Sequence, residues 1–235
     1  MPRRAIAAVD SQPLSARRFA SVHQAAGVDV ILPRHACGSC RRLSAALLAR
    51  EKRERRRMKL EIVIRPETST DIGAITEVTV AAFETLEISN HTEQFIIEAL
   101  RAAKALTVSL VAEMNRRVIG HLAFSPVTIS DGTQDWYGLG PVSVLREYQR
   151  NGVGKALIEK GLSRLKGLNA RGCCLVGHPD YYKKFGFKST PGFVHEGVPP
   201  EVFLALAFDG HLPQGTVTFH EGFKADGQPA APADG

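Results

Sequence analysis

From Thr68 onward the chain alternates between two hydrophobic periods, and each change of period predicts a change of element. Ile72, Ile75, Val78, Thr79, Ala82, Phe83 and Leu86 recur at three- and four-residue spacing, which predicts a helix with one apolar face. Thr68-Ser69-Thr70-Asp71 supplies its capping pattern. A second helix is predicted from Thr92 through Phe95, Ile96 and Leu100. Residues 60–66 read as a strand, and residues 106–114 and 117–126 as two strands joined in a hairpin at Asn115-Arg116. Asp131-Gly132 marks the next turn, followed by a strand carrying Trp136 and the apolar run 139–145. Residues 173–177 and 202–208 are apolar runs of buried-strand type. No internal repeat is visible.

The densest chemistry sits between strand 139–145 and a helix marked by Val153, Ala156, Leu157, Gly161, Leu162 and Leu165. The connector ends in Gln149-Arg150-Asn151-Gly152-Val153-Gly154. A strand, a glycine-bearing turn and a helix N-terminus aim backbone N–H groups and a dipole of roughly +0.5 charge at one spot. Gly152 and Gly154 let an anion approach the backbone. The same glycines also suit a helix packed tightly on a strand, and that alternative stays open. A nucleoside-triphosphate loop does not fit: Gln149 stands at the first Gly position and Ala156 replaces the hydroxyl that would ligate magnesium. A dinucleotide-binding fingerprint fails too, because Gly138 and Gly140 precede the apolar strand residues.

The pattern [QR]-x-x-G-x-[GA] resembles the acyl-CoA pyrophosphate loop of the Gcn5-related N-acetyltransferases (GNAT). Tyr182-Lys183-Lys184-Phe185-Gly186-Phe187 is similar to the motif after the fifth strand of that superfamily. Residues 120–127 and 138–142 look like its YhbS-like branch, and the likeness runs in order from about Leu60 to Asp209. The resemblance implies the order β-α-α-β-β-β-α-β-α-β-β. That is an α/β (α+β) fold with a mixed, mostly antiparallel twisted sheet of about six to seven strands and about four flanking helices. It implies an N-acetyltransferase with acetyl-CoA as co-substrate, no metal, and a primary amine, small or on a protein, as acceptor.

Site residues follow by the same likeness. Val142, Ser143 and Val144 would contact the pantetheine arm, and Gln149, Arg150, Asn151, Gly152, Val153, Gly154 and Lys155 the diphosphate. Tyr182 aligns with the family's general-acid tyrosine, with Tyr181 as adjacent competitor. An amine of pKa about 10.4 is protonated at neutral pH, so a base is needed. Glu84 is the named candidate, with Glu87, His121, His178 and a bound water as alternatives. The acceptor side, near residues 83–101 and a late hairpin at 192–200, has mixed charge with a lean to acidic residues. A silent acyl-CoA-binding regulatory module is the competing functional class.

Composition adds limits. The 44% hydrophobic fraction is ordinary for a globular chain, and no apolar run reaches the ~20 residues that span a bilayer. That fits a cytoplasmic protein without a membrane partner. The net charge of +6 is unevenly placed: residues 1–57 hold 13 Lys+Arg against 4 Asp+Glu, and residues 58–235 hold 17 against 20. Nucleic-acid contact is therefore expected only weakly, through the leader. The leader reads as a disordered basic tail, as sequence upstream of a true start at Met58, or as a transit peptide. The domain is expected over residues 58–221, with a disordered tail over 222–235; oligomeric state, homodimer included, stays open. Cys37 and Cys40, beside His35, make half a zinc site with no second half. Cys173 and Cys174 alternate along one strand and face opposite sides of it as small hydrophobes.

Overall fold

The computed structural model describes Arg50, residues 62–86 and residues 89–227. The calls on Cys37, Cys40, Glu87 and the leader (Arg50 apart) lie outside these residues. Strands β1 (Val63–Pro66), β2 (Val108–Met114), β3 (Arg117–Ile129), β4 (Trp136–Val144), β5 (Gly172–Val176) and β7 (Phe203–Ala207) form the main sheet in the order β1-β2-β3-β4-β5-β7. All its pairings are antiparallel except β4 with β5. Strand β8 (Gly215–Phe219) extends β3 beyond Pro126, and β6 (Phe193–His195) pairs parallel to β8. Residues 192–200 thus form no local hairpin, which corrects the expected acceptor-side element.

Helix α1 (Ile72–Phe83) buries Ile75, Val78, Thr79, Ala82 and Phe83, most of the face its periodicity marks, while Ile72 is exposed and Leu86 lies past the helix end. Asp71 accepts from the Thr68 N–H at 2.7 Å and the Thr68 hydroxyl at 2.8 Å, so the capping pattern is realised. Arg65 on β1 grips the same carboxylate at 2.7 and 2.9 Å and reaches Glu113 on β2, fixing where α1 leaves the sheet. Helix α2 (Glu93–Ala102) buries Ile97 and Leu100. Helix α3 (Val153–Gly167) lays Leu157, Ile158, Leu162 and Leu165 on the opposite face, and α4 (Pro179–Tyr182) is a single turn after β5.

Two apolar clusters share the sheet. Cys173 lies in the larger one and Cys174 in the smaller one around Trp136, Phe193 and Phe203, as the strand alternation requires. Ordered packing continues past residue 221: Glu221–Lys224 form a 3-10 turn, Gly222 lies against Leu100 of α2, and Phe223 stacks on Phe219 at 5.0 Å.

A buried polar brace ties this frame together. Arg101 on α2 holds Glu67 through two 3.0 Å hydrogen bonds, and the Ser109 hydroxyl on β2 donates to the same carboxylate. With that proton committed, His121 on β3 donates from Nε2 to Ser109 at 2.8 Å, leaving its Nδ1 buried without a hydrogen-bond partner among the described residues. Burial pushes Glu67 up, but hydrogen bonds from His121, Arg101 and Ser109 outweigh it and hold the acid at about 2. Burial pushes the fully enclosed His121 down, so the ring stays neutral.

Candidate functional site

The site begins with a defect in the sheet. Along β3, Leu122 pairs with Val142 but Phe124 pairs with Leu139, so β4 carries one residue too many at Gly140-Pro141. A bulge of this kind bends the strand that carries it. Beyond it β4 and β5 part, and their parallel pairing stops after Gly138 with Cys174 although β4 runs on to Val144. The β4 edge facing β5 is left without a ladder partner there, an open place for an extended ligand to pair.

A cleft of about 850 Å³ occupies this gap, walled by Ala82, Phe83, Thr85 and Leu86 at the end of α1, by Val142 and Val144 of β4, and by the loop into α3. Arg146, Arg150, Lys155 and Lys184 line it, and among the described residues no carboxylate does. The Gln149 side-chain amide donates to the Val144 carbonyl at 2.9 Å, pinning the loop to the strand end. Arg150 (φ 59°) and Gly152 (φ 89°) both lie in the left-handed region. Gly152 is the N-cap of α3, whose first N–H groups have no partner inside the helix.

The two loop glycines answer different needs. Around Gly152 a Cβ would meet nothing, so its φ is the constraint; at Gly154 a Cβ would sit 2.9 Å from the Tyr181 hydroxyl. The glycine spacing therefore has a packing reason as well as a ligand reason. The four cations that line the cleft add a feature that packing alone does not require.

Most of the expected site residues converge. Val142, Val144, Gln149, Arg150, Gly152, Gly154 and Lys155 line the cleft, and Asn151 is a half-buried residue in the same loop. Val153 instead turns into the core, and the Ser143 side chain faces away to hold Thr79 of α1 at 3.0 Å. Tyr182 is buried against Gly177 and Phe187, and its neighbour Tyr181 is the one in the cleft wall. Burial pushes both phenols up, Tyr181 to about 12. Glu84 is exposed and lines a second cavity of about 180 Å³ with Val80, Phe83, His91 and Gln94; Phe83 is a wall common to both cavities. His121 belongs to the brace and His178 sits 3.9 Å from Asp180, so neither lines the cleft. Sequence reasoning missed Lys184, although it lies inside the quoted Tyr182–Phe187 motif. Among the described residues no group of three or more His, Cys, Asp or Glu is placed to hold a metal ion, and no helix is long and apolar enough to cross a membrane.

Bulged strand, open sheet edge and cationic helix N-terminus together make a cleft that suits an extended ligand carrying negative charge. The family description "Acetyltransferase (GNAT) domain" matches residues 106–189. The uncharacterized N-acetyltransferase YhbS of Escherichia coli K12 is 30% identical over 128 residues, covering 54% of this chain and 74% of YhbS. A crystal structure of a GNAT family acetyltransferase from Brucella melitensis in complex with acetyl-CoA is 48% identical, with a TM-score of 0.62, over 69% of this chain and 97% of that one. The YhbS structure in complex with CoA is 27% identical, with a TM-score of 0.63, over 71% and 94%. The chain belongs to the GNAT acetyltransferases.

Proposed function

We propose that the protein transfers the acetyl group of acetyl-CoA to a primary amine by direct attack in a ternary complex. One observation carries the reading: the cleft where β4 parts from β5 is lined by four cations and, among the described residues, by no carboxylate, beside the N-terminus of α3. That charge suits a diphosphate, and the free β4 edge suits an extended arm ending in a thioester. The Brucella melitensis relative was crystallised in complex with acetyl-CoA, which supports the same co-substrate.

In this reading the backbone at Val142, Ser143 and Val144 pairs with the arm, and a donor there holds the thioester oxygen as it gains charge. Gln149, Arg150, Asn151, Gly152, Val153, Gly154 and Lys155 take the diphosphate. The amine nitrogen attacks the carbonyl carbon, the carbon–sulfur bond breaks, and the thiolate takes a proton. We assign that donation to Tyr182, which burial in α4 keeps protonated and whose ring lies 5.0 Å from that of Tyr181 in the cleft wall. The proton lost by the amine passes through water to Glu84, which lines the smaller cavity on the other side of Phe83. Acidic Glu84 on that side suits a cationic acceptor.

The test is incubation of the full chain with acetyl-CoA and a panel of primary amines, following free thiol and acetylated product by mass spectrometry. Amine-dependent thiol release with matching acetylated amine is expected. Tight acetyl-CoA binding with no transfer to any amine would contradict the transferase reading.

A further inference from the structure

Lys184 stands outside the glycine loop, in the 3-10 turn Lys183–Phe185 that follows α4, yet it lines the cleft. Its Nζ rests over the Tyr181 ring, 3.7 Å from the centroid and 5.2 Å from that of Phe185. Tyr181 in turn puts its hydroxyl against Gly154, in the first turn of α3. The ring thus spans from the helix N-terminus to the lysine. A cation on an aromatic face keeps its charge while losing conformational freedom.

The surroundings of Lys184 show what it faces. Burial lowers its proton affinity first, and the charge of Lys155 lowers it further, while Glu159 acts in the opposite sense. Glu159 lies 3.5 Å from Lys155, one turn along α3, and does not line the cleft. Two lysines from separate elements therefore line one mouth, with no acid among the described residues that line it. Holding like charges together costs free energy in the empty protein, and an anion between them removes that cost.

We propose that Lys184, seated on Tyr181, is a further binding residue that takes the diphosphate of the acyl-CoA together with Lys155. The inference rests on the acyl-CoA reading of the cleft and adds a second-element clamp to the loop of residues 149–155. It also assigns Tyr181 a positioning role, distinct from the proton donation given to Tyr182.

The experiment titrates the full-length wild type, Lys184→Ala, Lys184→Arg and Tyr181→Leu with acetyl-CoA and with acetyl-dephospho-CoA, at low and high salt. Lys184→Ala is expected to raise Kd about tenfold for both ligands, the size of one charge-assisted hydrogen bond. Its salt dependence should be shallower than that of the wild type, because one screened attraction is gone. Lys184→Arg should restore most of the affinity, and Tyr181→Leu should show part of the Lys184→Ala loss. The melting temperature of ligand-free Lys184→Ala should match the wild type, which separates contact from folding. Equal Kd and equal salt slopes in wild type and Lys184→Ala would overturn the assignment, as would a loss seen with acetyl-CoA alone, since that would place Lys184 on the 3′-phosphate. A wild type that binds neither ligand would instead overturn the acyl-CoA reading beneath it.

Discussion

Arg150 is the residue on which stability and binding pull in opposite directions. It holds φ 59°, a conformation that costs a side chain about 1–2 kcal/mol and costs glycine almost nothing. Its guanidinium lines the cleft, and that gives the strain a purpose. Arg150→Gly is expected to leave stability equal or raise it by up to about 1 kcal/mol in chemical denaturation, while acetyl-CoA binding weakens several-fold. Loss of stability with unchanged binding would contradict this role. Gly152→Ala should do the reverse of the stability effect, costing about 1 kcal/mol at φ 89°. The two tyrosines separate in the same way. Tyr182→Phe should cut kcat about 10²-fold or more with KM for acetyl-CoA nearly unchanged, because it removes a proton donor and keeps the ring. Tyr181→Phe should leave kcat within a few-fold. Equal rates for Tyr182→Phe and wild type, measured on any acceptor the amine panel yields, would remove Tyr182 from the chemistry.

Among the elements, the brace of Arg101, Glu67, Ser109 and His121 sets how the frame responds to acid. Glu67 is held at about 2, so its stabilising share is full above the ordinary carboxylate value of about 4.3 and is lost as pH falls through about 2. His121 is held below its ordinary value of about 6.5, so the unfolded chain binds its proton first and stability falls as pH drops below about 6.5. The urea midpoint should therefore decline in two stages, and His121→Gln should lose the upper one. A midpoint flat from pH 8 to pH 5 in the wild type would contradict the buried neutral imidazole.

The sequence carried some of these elements plainly and hid others. Helices α1 and α3 were legible because each has one buried face, and the hairpin at Asn115-Arg116 because both residues adopt positive φ there (51° and 62°). Strand β8 was not, since Gly215–Phe219 is short and its pairing with β3 and β6 is long-range. The turn Glu221–Lys224 looked like tail because its anchors, Phe219 and Leu100, are remote in kind from its own polar residues. Within the site, the loop 149–154 was readable from spacing. The direction of the Tyr181 and Tyr182 rings was not, because it depends on where Gly154 and Gly177 sit in space. Lys184 was hidden for the same reason: its role depends on Lys155, on another element.

At the scale of the whole molecule, one sheet defect organises everything else. The extra residue at Gly140-Pro141 parts β4 from β5, and α3 then brings its N-terminus and Lys155 to the opening. Helix α1 closes the other wall with Phe83 and carries Glu84 to the adjoining cavity. Among the described residues, the cations that line the cleft come from residues 146–184, on the loop into α3, the first turn of α3 and the turn after α4. The most direct measurement is calorimetric titration of the full chain with acetyl-CoA, with ATP and NAD as controls. Binding of acetyl-CoA at about one per chain, weakened by salt and absent for both controls, is the expected result. A folded protein that ignores acetyl-CoA, or binds ATP and NAD equally well, would contradict the assignment of the cleft.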